Sequence, residues 1–168
     1  RCPSSRVSRA SQSRRMSWAT SQGLASRRPR LSRYLAMSSQ HDRFARQAIE
    51  LARQARAAGN HPFGALLVLE DKVVASAQNT VFTDRGPTAH AETNLVSYAI
   101  RELSPDVIRR SVLYTSCEPC AMCVGKMYWA GIRSIVYALA SEDLAQLAGG
   151  SFVVPCRELF AKAAEPVT

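Results

Sequence analysis

Apolar residues recur at helical spacing through Phe44, Ala45, Ala48, Ile49, Leu51, Ala52 and Ala55, which predicts a helix with one buried face. Asp42 stands at the place of an N-cap and Gly59 at the place of a stop. Ala65 to Leu69 is an unbroken apolar run of strand length, and Val73 to Ala77 follows across Glu70-Asp71-Lys72. Two such runs across a short polar turn predict an antiparallel hairpin. Asn79 to Thr88, with Asp84, Gly86 and Pro87, reads as a surface loop.

A second helix is expected from about Ala89 to Leu103, broken by Ser104-Pro105. Val112 to Thr115 is a short strand, and Pro119 suits the first turn of a third helix ending near Gly131. Ile132 to Leu139 is a further strand, Ser141 to Ala148 a helix, Gly149-Gly150 a break, and Arg157 to Ala163 a last helix. Helices alternating with strands place the chain in the α/β class, with a mixed central sheet between helical layers. The hairpin strand runs antiparallel, and the strand–helix–strand units join parallel strands.

Composition narrows this picture. A hydrophobic share of 46% over 168 residues supports one packed domain. No apolar run approaches the roughly 18–20 residues of a membrane span. The net charge of +9 suggests nucleic acid until it is located. Residues 1–41 hold nine of the 22 basic residues and no acid, which leaves 13 basic against 13 acidic residues in 42–168. The folded part is therefore neutral, whereas a nucleic-acid footprint sits on the domain itself.

Residues 1–41 are rich in Arg and Ser and lack periodicity, so they are expected as a disordered leader outside the domain of residues 42–168. Met37 would make a natural start, and residues 1–36 also have the acid-free, Arg- and Ser-rich character of an organelle transit peptide. Three of the five cysteines, Cys117, Cys120 and Cys123, cluster within seven residues, a spacing that suits a metal better than a disulfide framework. A reducing, cytoplasmic setting follows.

The chemistry lies in two clusters, each at a predicted helix start: His90-Ala91-Glu92 and Pro119-Cys120-Ala121-Met122-Cys123. Cysteines three apart share one helix face, so two thiolates can converge on one ion. A helix N-terminus favours thiolate over thiol. Two sulfurs and an imidazole from His90 suit Zn²⁺. His41 and His61 stand alone and read as ordinary core or surface residues. Cys117 would complete a closed structural site, but it precedes Pro119, off the face that Cys120 and Cys123 share, and is expected as a buried thiol beside an open site. Glu92, two residues from His90, is either an exposed helix-start acid or the group that moves protons at such a site.

His-x-Glu followed by Pro-Cys-x-x-Cys resembles the signature of zinc deaminases acting on bases. Over roughly residues 42–140 the chain resembles the cytidine/deoxycytidylate deaminase superfamily. Pro62-Phe63-Gly64-Ala65, Asn79, Pro87-Thr88-Ala89-His90-Ala91-Glu92, Tyr114-Thr115-Ser116-Cys117-Glu118-Pro119-Cys120 and Tyr128-Trp129-Ala130 are most similar to small guanine deaminases and related nucleoside deaminases.

The resemblance implies a three-layer α-β-α sandwich and a homodimer. It implies zinc on His90, Cys120 and Cys123, with Glu92 catalytic. It further implies that Asn79 hydrogen-bonds the base and Phe63 stacks near it. Ala91 and Cys117 would give backbone contacts, and Trp129 would close the pocket wall. Read as residues alone, Phe63 and Trp129 are core aromatics and Asn79 a turn residue. The resemblance also implies a further strand and tail past Pro166-Val167-Thr168, so that the domain reads as C-terminally truncated.

The expected activity is hydrolytic deamination of a nucleobase or nucleoside, guanine first, with a small-molecule substrate and neither nucleic acid nor membrane as partner. A tRNA adenosine deaminase shares the zinc motif but calls for basic residues on the domain. A non-catalytic zinc-binding subunit would lack the proton-moving glutamate, and Glu92 is present.

Overall fold

The computed structural model describes residues 31–150 and 152–168. The leader expected over residues 1–41 falls outside the described residues as far as residue 30.

Helix α1 spans Leu31–Ala57 and starts well before the expected Asp42, which lies inside it. No Pro or Gly interrupts residues 30–58, and adding a residue to an existing helix is far easier than nucleating one. Phe44, Ala48, Ala52 and Ala55 are buried along one side. The helix stops at Gly59, whose φ of 86° suits glycine, while the Asn60 amide donates back to the Ala55 carbonyl at 2.9 Å. That six-to-one bond around a left-handed glycine is a Schellman end.

Strands β1 (Gly64–Leu69) and β2 (Lys72–Gln78) form the expected antiparallel hairpin, with a register shift between Leu67 and Val68. Glu70 and Asp71 take φ of 48° and 63°, so the turn is the two-residue kind whose twist matches the strands. Helix α2 covers Ala91–Glu102. A short α3, Pro105–Arg110, follows where only a break was expected. Ser104 caps it by accepting from the Val107 amide, with Pro105 at the first helical position, where its missing N–H costs nothing.

Strand β3 is Val112–Thr115, α4 Ala121–Trp129, β4 Ser134–Tyr137, α5 Ser141–Ala148 and α6 Cys156–Phe160. Pro119 thus precedes α4 rather than opening it, because Cys120 is extended and serves as the N-cap. Strand β4 is shorter than Ile132 to Leu139, and α6 begins one residue before Arg157 and ends before Ala163.

The sheet order is β2-β1-β3-β4. Strand β1 runs antiparallel to both β2 and β3, and β3 parallel to β4, so the sheet is mixed. Both strand–helix–strand links therefore join parallel strands. Period-two alternation divides the core into two layers. Leu66, Val68 and Tyr114 pack against Phe44 and Ala48 of α1. Ala65, Leu67 and Leu113 pack on the other face against Leu95 and Val96 of α2 and Met127 of α4. The result is the expected α-β-α sandwich. Among the described residues no helix is long and apolar enough to cross a membrane.

Candidate functional site

The two chemical clusters meet where α2 and α4 begin. His90 is the N-cap of α2 and Cys120 the N-cap of α4, both with extended backbone, and neither side chain caps its own helix. Both side chains are thereby free to point at a common centre, beside first-turn N–H groups that favour negative charge. Nδ1 of His90 lies 3.7 Å from Sγ of Cys120 and 3.6 Å from Sγ of Cys123, and the two sulfurs are 3.6 Å apart.

Tetrahedral zinc, with about 2.3 Å to sulfur and about 2.0–2.1 Å to nitrogen, spaces its donors by about 3.5–3.8 Å. The three edges fit that triangle. Among the described residues, His90, Cys120 and Cys123 are the group of three whose ligand atoms all lie within 4.8 Å of one another, and Cys117 is not in it.

The electrostatics suit a cation. A hydrogen bond from the Cys123 thiol, followed by one from His90, holds Cys120 as thiolate, down to about 4. Cys123 is pushed up by the same shared proton and by burial. The hydrogen bond to Cys120 raises His90 against the opposing effect of burial. The three groups share a proton in the absence of an ion, and a divalent ion would take its place by binding the deprotonated sulfurs and the neutral imidazole.

Glu92 lies in the first turn of α2 and is only 5% exposed. It is not the exposed helix-start acid. Its Oε1 accepts from Oγ1 of Thr115 at 2.6 Å, and its Oε2 lies 3.6 Å from Sγ of Cys123. Burial raises its pKa, with the Thr115 bond opposing. Oγ1 of Thr115 also lies 3.0 Å from the Cys117 carbonyl. One hydroxyl rotor can therefore donate to Glu92 when it is ionised, or turn to the carbonyl when Glu92 carries the proton.

Asn79 ends the chain that leaves β2 and is 1% exposed. Its Oδ1 accepts from the Val81 amide at 3.1 Å, which fixes Nδ2 as the other end of the amide. That Nδ2 is the one buried side-chain nitrogen or oxygen without a partner among the described residues. Phe63 is half-buried against the core on the α2 side, and its carbonyl accepts from the Asn79 amide at 3.0 Å. Ala91 and Cys117 are both buried. Burial pushes the Cys117 thiol up to about 11, with the Glu92 carboxylate adding to it.

Trp129 is not brought to this centre. It ends α4, nine residues beyond Cys120, and is 85% exposed. A helix rises about 1.5 Å per residue, so the two ends of α4 serve different surfaces. Nor is Trp129 the core aromatic of the alternative reading. His41 pairs with the Tyr114 hydroxyl at 2.9 Å on the α1 face, and His61 packs on Phe82, with ring centroids 4.7 Å apart. A 470 Å³ groove beside β4 and α6 is lined by Tyr137, Cys156 and Phe160, and by none of the site residues above.

Three supporting residues were given no role by the sequence, although Thr115 and Glu118 lie within the stretch that carries the resemblance. Thr115 is a β-strand threonine like many others until its partner is seen. Glu118, between Cys117 and Pro119, accepts from the Ser141 amide and hydroxyl at 2.8 Å and from the Cys156 amide at 2.7 Å. Burial would raise this carboxylate, but those hydrogen bonds outweigh it and hold its pKa low. The third, Asn94, bonds the chain on both sides of Asn79.

Residues 38–139 match the cytidine and deoxycytidylate deaminase zinc-binding region. Guanine deaminase from Bacillus subtilis is 40% identical over 107 residues, covering 63% of this chain and 69% of that protein. The crystal structure of that guanine deaminase superposes with a TM-score of 0.59 at 34% identity, over 75% of this chain and 78% of the other. A probable cytosine deaminase from Schizosaccharomyces pombe is 40% identical over 130 residues, 74% of this chain and 78% of that protein. The tRNA-specific adenosine deaminase of Bacillus subtilis is 30% identical over 99 residues, 59% and 62% of the two chains.

Proposed function

The chain belongs to the cytidine and deoxycytidylate deaminase family of zinc-dependent enzymes, and on that premise we propose that it deaminates a free nucleobase, guanine first. The observation that carries this reading is the orphaned Nδ2 of Asn79. Leaving a buried donor unpaired costs about 1–3 kcal/mol, a cost that a ligand acceptor would remove. Guanine presents acceptors at O6 and N7. The 40% identity to a guanine deaminase supports the choice of base.

In this reading His90, Cys120 and Cys123 hold the zinc. The chemistry the ion supplies when bound is Lewis-acid activation of water. Water replaces the exocyclic amine of the base, giving a carbonyl and ammonia, so a proton must travel from the water to a ring nitrogen and to the departing amine. Glu92 moves it, held by Thr115 and only 5% exposed. Asn79 fixes the base edge, Phe63 stacks near it, and Ala91 and Cys117 give backbone contacts.

A homodimer in a reducing, cytoplasmic setting completes the proposal. The exposed Trp129 offers an apolar side chain for a second copy to cover, and Cys117, Cys120, Cys123 and Cys156 form no disulfide. Light scattering of the purified chain should give twice the monomer mass.

The competing reading is a tRNA adenosine deaminase, favoured by the 30% identity to one and opposed by the balanced charge of residues 42–168. Ammonia release across guanine, guanosine, cytosine, adenine and a tRNA anticodon stem-loop decides between them. Guanine should be fastest. Turnover of the stem-loop without turnover of any free base would replace this function with the competing one.

A further inference from the structure

We propose that Asn94 is a positioning residue for base recognition, acting through Asn79, an inference that rests on the reading of Asn79 as the base contact. Asn94 lies on α2 one turn beyond His90, whose carbonyl accepts from the Asn94 amide at 2.9 Å. Its side chain leaves the helix toward the end of β2. There Nδ2 donates to the Gln78 carbonyl at 2.9 Å and to Oγ1 of Thr80 at 2.8 Å, with the Ala89 carbonyl at 3.4 Å. Carbonyl oxygens only accept, so the NH₂ must face them, and the orientation of the amide is fixed by its partners.

Both short bonds fall on the immediate neighbours of Asn79, one on each side. The Thr80 amide donates to the Ala89 carbonyl at 2.9 Å, which ties the same segment to the residue before His90. Asn79 itself is fixed at its amide by the Phe63 carbonyl at 3.0 Å and at Oδ1 by the Val81 amide. What remains free is its Nδ2.

Asn94 therefore couples the base-reading end of β2 to the helix that carries His90 and Glu92. Its side chain and the Thr80–Ala89 backbone bond together hold the end of β2 against the start of α2. Asparagine is a poor choice for a helix interior on propensity alone, and these bonds account for its presence. A segment freed from these bonds would have to be ordered when the base binds, so the cost falls on base affinity and is read in KM rather than in kcat.

The test is a double-mutant cycle on the full chain, with guanine as substrate and zinc content measured in parallel. Asn79→Ala should raise KM for guanine. Asn94→Ala should raise it about five- to tenfold, as expected for a lost pair of hydrogen bonds, with kcat changed by less than about threefold and zinc retained. Asn94→Asp, equal in size but facing the Gln78 carbonyl with oxygen, should do at least as much. The double variant Asn79→Ala/Asn94→Ala should be no worse than Asn79→Ala alone, because residues in one network do not add. Asn94→Ser carries the same cycle if the alanine variant does not fold.

Additive losses, or zinc loss on replacing Asn94, would overturn the inference and make Asn94 a support for α2 alone. An unchanged KM in Asn79→Ala, by contrast, would remove the base-contact reading and this inference with it.

Discussion

Thr115, the last residue of β3, donates its hydroxyl to Oε1 of Glu92 in the first turn of α2 across 2.6 Å. This bond crosses from sheet to helix and sets the carboxylate against the Cys123 sulfur, 3.6 Å from Oε2. Thr115→Val keeps the shape and removes the hydroxyl. A hydrogen bond to a charged group contributes about 1.5–3 kcal/mol, so kcat should fall by about 10- to 100-fold with zinc content and fold unchanged. Steady-state kinetics with guanine and metal analysis read this out, and an unchanged kcat would mean that Glu92 is oriented by something else.

Glu92→Gln keeps the size and removes the titrating proton. General acid–base groups contribute about 10²–10⁴-fold, and in the proposed reaction this one would serve both the attacking water and the leaving amine. The loss of kcat should reach or exceed the upper end of that range, while KM moves much less. Retained activity within a few-fold would show that another group moves the protons. Loss of zinc from the variant would make Glu92 a ligand.

The metal itself should bind at about one Zn²⁺ per chain through one nitrogen and two protein sulfurs. X-ray absorption counts those neighbours directly. A shell with three sulfurs would bring Cys117 in, against its place outside the donor triangle. A chelator should abolish activity, and added zinc should restore it.

Gly64 opens β1 beneath α1, and a side-chain carbon there would lie 2.5 Å from the Ala48 carbonyl oxygen and 2.7 Å from the Ala52 amide nitrogen. Both are backbone atoms of a packed helix and cannot swing aside. Gly64→Ala should therefore lower stability by about 1–3 kcal/mol or more, visible as a lower midpoint in chemical denaturation. Because the neighbouring Phe63 carbonyl holds Asn79, KM for guanine should rise as well. An unchanged midpoint would mean that α1 can lift off β1 at little cost.

The sequence by itself determined the parts whose signal is local. Apolar periodicity gave the buried face of α1 from Phe44 to Ala55, and the two runs beside Glu70-Asp71 gave the hairpin, because period and turn chemistry are properties of neighbouring residues. The donor set was equally legible. His90 and the pair Cys120 and Cys123 each sit at a helix start, and ligand chemistry narrows two sulfurs and an imidazole to few metals. Element ends were less so. The short α3 depends on the Ser104 cap and on Pro105 at its first position, which a run of side-chain types shows only weakly.

Only the tertiary structure decided which residues support the chemistry. Thr115 and Glu92 are 23 residues apart in sequence, and Asn94 lies 16 from Gln78; such bonds exist only once β2, β3 and α2 have packed. The same packing left Nδ2 of Asn79 buried without a partner and turned Trp129 outward at the far end of α4. A tryptophan in the sequence is as consistent with a pocket wall as with a surface, since its large apolar body suits either. Its place is settled by which side of α4 faces the sheet, and that depends on the whole fold.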